Sequence, residues 1–160
     1  MNTGLKNEVE TLFRGLVGQM AWGAKVGWGS FVTVEFGPKR LQNHHYHGDW
    51  HLWLYQCDWS LKSATHEMAN SESKRGVMQT AIDNLNGREF LKISFDRQHM
   101  VTRFVFRGDL CLACQPYGDS EPNEEAWMLF MPNKQVASLV PRGLKCEPAR
   151  LNGERTVSPR

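Results

Sequence analysis

The sequence predicts an α+β fold: an antiparallel β-sheet of about six to eight strands with two helices. Two segments repeat apolar residues at helical spacing. Most of the remainder alternates apolar and polar residues with a period of two. The links between these alternating segments are mostly short, which makes sequential strands antiparallel neighbours.

The first helix is expected over residues 4–16, where Leu5, Val9, Leu12, Phe13 and Leu16 share a face and Gly15 and Gly18 end the pattern. "MAWGAKVGWGSFVTVEFG" then reads as two strands joined by a turn at Gly27–Gly29, with Pro38 closing the second. Residues 39–48 form a polar, His-rich connection. A strand follows from Asp49 to Lys62. Its odd positions are apolar throughout, while its even positions begin apolar (Trp50, Leu52, Leu54) and turn polar (Gln56, Asp58, Ser60). That pattern predicts burial on both faces at the start and on one face later.

The second helix is expected from a cap at Asn70 or Ser71 to Gly87, with Val77, Met78, Ala81, Ile82 and Leu85 as its apolar stripe. Strands over 89–96, 100–107, 110–115, 126–131 and 135–140 follow, broken by the acidic loop "PYGDSEPNEE". Residues 1–143 are read as a single α+β domain. Residues 144–160, polar and without periodicity, are read as a disordered tail.

Of 160 residues, 41% are hydrophobic, enough for one buried core. Residues 1–143 hold 15 Lys/Arg and 15 Asp/Glu, so the net +2 comes from the last 17 residues. A neutral body offers no electrostatic footprint for nucleic acid. The sequence shows no run of about 18 apolar residues and no signal-peptide pattern near its first residue, so the expectation is a cytoplasmic protein with no membrane partner. Four cysteines in such a compartment read as free thiols. "CLAC" (111–114) falls on a strand, where positions i and i+3 point to opposite faces, so it is not read as a redox pair.

Two groups of residues invite a functional reading. His44, His45, His47 and His51 lie within eight positions. His45, His47 and His51 share parity in an extended chain, and three imidazoles plus water would hold a catalytic zinc. The same residues read more simply as a solvated loop entering a strand, since Gly48 interrupts the strand and no cysteine or carboxylate stands at a recognised metal spacing. The other group is the acidic loop, with Asp119, Glu121, Glu124 and Glu125, together with Trp28 and Trp50 beside turns. Exposed tryptophan and clustered charge suit a protein interface. The ordinary alternatives are edge packing and a solvated loop. No nucleophile elbow, phosphate-binding loop or dinucleotide fingerprint is present.

The order "WGAKVGWGSFVTVEFG", "GDWHLWLYQCDWSL", a helix ending "LNGREF", and "WMLFMPNKQV" resembles a family of small uncharacterised bacterial single-domain proteins. The hallmarks are GSFxTxEFG (here 29–37) and WHLWxYxCxW (here 50–59), and the resemblance covers residues 18–140. It implies one α+β domain and no established activity. Some such families are similar to immunity proteins, which implies a protein partner of the toxin kind. The expectation is therefore a non-enzymatic, immunity-like binding protein without a cofactor. The alternative is a metal-binding module or metal-dependent enzyme using zinc at the His44–His51 cluster.

Overall fold

A computed structural model describes residues 3–149. Helix α1 (Thr3–Leu12) runs into a 3-10 turn, Arg14–Leu16. Seven strands follow: β1 (Ala21–Val26), β2 (Val32–Phe36), β3 (Arg40–Gln42), β4 (His45–His47), β5 (Trp50–Leu54), β6 (Cys57–Lys62) and β7 (Glu67–Asn70). Helix α2 (Arg75–Ile82) leads through a second 3-10 turn, Asp83–Leu85, to β8 (Phe90–Asp96). The described residues close with β9 (Val101–Phe106), β10 (Leu110–Pro116), β11 (Trp127–Phe130), β12 (Gln135–Val140) and β13 (Gly143–Pro148).

The class is α+β, with more strand than the sequence suggested and with the strands divided. In place of one sheet of six to eight strands, the described residues form three antiparallel sheets. One has six strands in the order β1-β2-β5-β11-β12-β13, one has five in the order β7-β6-β10-β9-β8, and the third is the β3-β4 ribbon.

The division happens inside the segment expected to be one strand. Residues 49–62 break at Tyr55–Gln56, and β5 and β6 enter different sheets. In β5 the even residues Leu52 and Leu54 are buried, and in β6 the odd residues Cys57, Trp59 and Leu61 are. The parity change marks a bend that keeps the apolar side facing inward as the chain crosses from one sheet to the other. It does not mark a strand buried on both faces.

One core joins the two large sheets and both helices. Phe36 of the six-stranded sheet meets Phe90 and Phe106 of the five-stranded one, at 6.0 and 6.2 Å between ring centroids. Phe13, just past α1, packs against Phe90, Phe104 and Trp127, touching the last edge-on at 5.2 Å. Trp127 is fully buried, and its indole N–H donates to Thr102 Oγ1 at 3.0 Å. That bond satisfies the one polar atom that burial of a tryptophan must account for. The inward side chains of both helices, including Leu5, Val9, Met78, Ala81 and Ile82, belong to this same core.

Three local expectations are corrected. The His-rich connection is a β-ribbon whose turn places Asn43 and His44 at φ of 50° and 66°, a left-handed pair suited to a two-residue hairpin. Helix α2 is shorter than expected because Glu67–Asn70 pairs with β6 as a strand. An Asx turn, Asn70 Oδ1 accepting the Glu72 N–H at 2.8 Å, then delays the helix to Arg75. The polar tail begins later than residue 144: Gly143–Pro148 pairs with β12 along its whole length. Backbone pairing to the open edge of β12 gives this segment its order without an apolar pattern. The rest of the expected tail, residues 150–160, lies outside the described residues.

Candidate functional site

The six-stranded sheet has an inner face on the core and an outer face with a chemistry of its own. Register assigns the outer residues. Thr33, Trp53, Met128 and Ser138 lie opposite one another across β2, β5, β11 and β12. Glu35, His51, Phe130 and Val136 form the adjacent row. Tyr55, Met128 and Val136 are the buried members of a small cluster that also gathers Phe31, Trp53, Phe130 and Ala149.

At the Tyr55 end of this face the aromatic residues run into a cleft of about 440 Å³, lined by Phe31, Tyr55, Gln56, Tyr117, Asp119, Glu121 and Glu124. Three elements build it. The β1–β2 hairpin presents Phe31, held where Gly27 N–H donates to Phe31 O at 2.6 Å. The β5–β6 crossing supplies Tyr55 and Gln56, tied to the β11 approach by Tyr55 N–H to Ala126 O and Gln56 N–H to Glu125 O, both 2.9 Å. Gln56 also accepts the Glu125 N–H on its side-chain oxygen at 3.0 Å. The acidic loop folds as two turns, Ser120 N–H to Tyr117 O at 3.1 Å and Glu124 N–H to Glu121 O at 3.0 Å. These turns set its carboxylates at the rim.

Among the described residues, the seven that line the cleft include three acids and no base. Phe31 and Tyr55 meet edge to face at 4.6 Å, and Tyr55 lies 5.1 Å from Trp53. Burial first, and then the neighbouring Cys57, Asp58, Glu124 and Asp119, push the Tyr117 phenol above its ordinary value of 10.0. Aromatic faces beside carboxylates favour an organic cation over an anion or a neutral group.

The expected partner-binding residues separate on this geometry. Asp119, Glu121 and Glu124 line the cleft. Glu125 sits beside it, 3.7 Å from Lys145 of β13. Trp28 is 62% exposed at the tip of the hairpin that carries Phe31. Trp50 is half-buried and packs on the core. A Cβ at Gly15 would meet its ring at 2.8 Å, so Trp50 fills a helix-to-sheet seam and does not join the cleft.

The histidines are not brought together. His45 and His47 stand exposed on β4. His51 is engaged on β5, where its Nδ1 pairs with Glu35 Oε2 and its ring lies edge-on to Phe130 at 5.4 Å. Glu35 is itself only 7% exposed and accepts the Gly48 N–H on its other oxygen at 2.9 Å. Among the described residues no group of three or more His, Cys, Asp or Glu is arranged to hold a metal ion. Glu35 and Asp58 fall in different large sheets.

No protein-family model, curated protein or solved structure matches this chain. The site is therefore read on its own chemistry. Reading the sequence alone missed Phe31, Tyr55, Gln56 and Tyr117. Phe31 and Tyr55 looked like alternating strand residues, and only the crossing at Gln56 turns them toward one cleft. Tyr117 carried a signal, an aromatic residue opening the acidic loop. Cys114, read as a free thiol, is buried on the face of β10 that meets Cys57 of β6. The hydrogen bond with Cys114, and then burial, hold the Cys57 thiol well above its usual range.

Proposed function

We propose that this is a non-enzymatic, cytoplasmic, immunity-like protein that captures a basic segment of a protein partner in the acidic, aromatic cleft. The observation that supports it most directly is the lining: Phe31, Tyr55 and Tyr117 with Asp119, Glu121 and Glu124, and no base among the described lining residues. A guanidinium or ammonium group gains on both counts, since a ring face is worth about 0.5–2 kcal/mol to a cation. The rim carboxylates also steer encounter with a positive partner. The exposed Trp28 beside the hairpin gives such a partner an apolar contact outside the cleft. The masking role toward a toxin rests on the resemblance to a family of small uncharacterised bacterial proteins, some of whose kind are similar to immunity proteins.

The test is calorimetric titration with an arginine-rich peptide, with a glutamate-rich peptide as control. The intact chain should bind the first and ignore the second. The variant D119K/E121K/E124K/E125K should lose at least about ten-fold in affinity while keeping its folded spectrum. Unchanged affinity in that variant removes the cleft from the proposal.

A further inference from the structure

The β3–β4 ribbon stands out from the body with a chemistry complementary to the cleft. Residues 39–47, "KRLQNHHYH", hold Lys39, Arg40 and three histidines and no acid. Every residue from Pro38 to His47 is exposed. Leu41 and Tyr46, opposite each other across the ribbon, are 64% and 57% exposed. Among the described residues, nothing from Leu41 to His47 makes a hydrogen bond or ion pair with the body. Two contacts at the root hold the cations in place. Lys39 Nζ lies 5.3 and 4.9 Å from the ring centroids of Trp22 and Tyr46. Arg40 Nε donates to Asp49 Oδ1 at 2.7 Å, which uses one of the five N–H groups of the guanidinium. Residues 37–49 stay net positive, with Lys39 and Arg40 against Asp49. Exposed tyrosine and arginine side by side are what interface cores favour.

The cleft end of the molecule presents the matching groups. Asp119 and Glu121 oppose the cations in charge, and Phe31 with the exposed Trp28 matches Leu41 and Tyr46. Position makes this a match between molecules. β2 runs from the cleft to the ribbon and β5 runs back, with Val32 paired to Leu54 at the cleft end and Phe36 to Trp50 at the ribbon end. Five residues set these ends about 17 Å apart. Each ribbon therefore stands at the far end of the strand pair from its own cleft. Two copies lying side by side and antiparallel bring each ribbon to the other's cleft. A single two-fold axis makes both contacts at once and leaves no open end for further growth.

We propose that the chain forms a two-fold dimer in which the β3–β4 ribbon of each copy docks in the acidic, aromatic cleft of the other. This rests on the reading of the cleft as a site for basic segments, and it names a second copy as one occupant. A partner's basic segment then competes with the ribbon.

The experiment is sedimentation velocity on the intact chain from about 1 µM to 1 mM. Docking predicts a monomer–dimer equilibrium within that range. K39E/R40E sets acid against acid, and D119K/E121K sets base against base. Each variant alone should dimerise at least about ten-fold more weakly than the intact chain. An equimolar mixture of the two should restore the dimer, because each contact again joins opposite charges. A chain that stays monomeric throughout overturns the dimer, and so does a variant that associates as well as the intact chain. Folded variants whose mixture fails to associate overturn it too. Should either variant lose its folded spectrum, K39Q/R40Q and D119N/E121N take their place, and each must still weaken the dimer. The arginine-rich peptide, titrated into K39E/R40E, separates this proposal from the reading it rests on. Peptide binding by a chain that never dimerises leaves the cleft reading standing alone. A dimer restored by mixing, with no peptide binding, upholds the dimer and sinks the capture of arginine-rich partners.

Discussion

Gly48 shows how one residue couples the ribbon to the sheet. A Cβ built there would lie 2.3 Å from the carbonyl oxygen of Phe36 and 2.9 Å from its nitrogen, so the backbones touch where only glycine fits. The Gly48 N–H also anchors Glu35, which in turn pairs with His51. Gly48→Ala should therefore cost about 2–4 kcal/mol, read as a lowered denaturant midpoint with an unchanged slope. A cost below about 0.5 kcal/mol would show that the ribbon shifts freely. Tyr117 offers a second test at this scale. Its folded-state value is raised, so the phenol stays neutral as pH climbs past 10, where the unfolded chain already ionises. Folding stability should fall with rising pH above that point, and Tyr117→Phe should flatten the fall. Neither Gly48 nor Glu35 stands out in the sequence as a site residue. The contact that explains both residues joins β2 to the residue before β5, and residue spacing does not encode it.

Among the elements, the short β-ribbon and the two-thiol seam make different demands on the chain. β3 and β4 are exposed along their whole length. Replacing His45 and His47 together by Ala should move the thermal midpoint by no more than about 2 °C, within the range of ordinary surface changes. A loss of stability on zinc chelation in wild type, but not in this variant, would restore a metal role. In the other direction, Cys57 and Cys114 are buried, Cys111 is half-buried and Cys146 is exposed on β13. A thiol reagent should label Cys146 first in the native protein and reach Cys57 and Cys114 only on unfolding. Elements of this kind were partly legible. The alternation over 89–96, 100–107, 110–115, 126–131 and 135–140 marked β8 to β12 to within a few residues. β7 and β13 were not legible, because each owes its order to backbone bonding along a neighbour's edge and carries little apolar pattern.

At the scale of the whole molecule, the aromatic network makes the two sheets one cooperative body. Phe13, Phe36, Phe90, Phe104, Phe106 and Trp127 bridge the sheets and the end of α1. Tryptophan fluorescence and far-ultraviolet circular dichroism should therefore report a single coincident unfolding transition. Trp127→Ala should lower stability by about 3–5 kcal/mol, because it opens a cavity and leaves Thr102 without its donor. Separate transitions by the two probes would mean that the sheets fold independently. The α+β class and the antiparallel pairing could be read from periodicity and short links. The split into two sheets could not, because it rests on one bend inside an unbroken aromatic run.

That bend also limits how this chain can vary in length. Leu54 and Cys57 both point inward although three positions separate them, an odd interval that a straight strand would place on opposite sides. Adding or removing one residue at Tyr55–Gln56 would turn Cys57, Trp59 and Leu61 outward and Asp58 and Ser60 inward. It would also pull Gln56 off the backbone of Glu125. Relatives that keep this fold should hold the spacing between Trp53 and Trp59 fixed while their hairpin tips and acidic loops lengthen or shorten. A single-codon insertion scan should find no tolerated site in that interval.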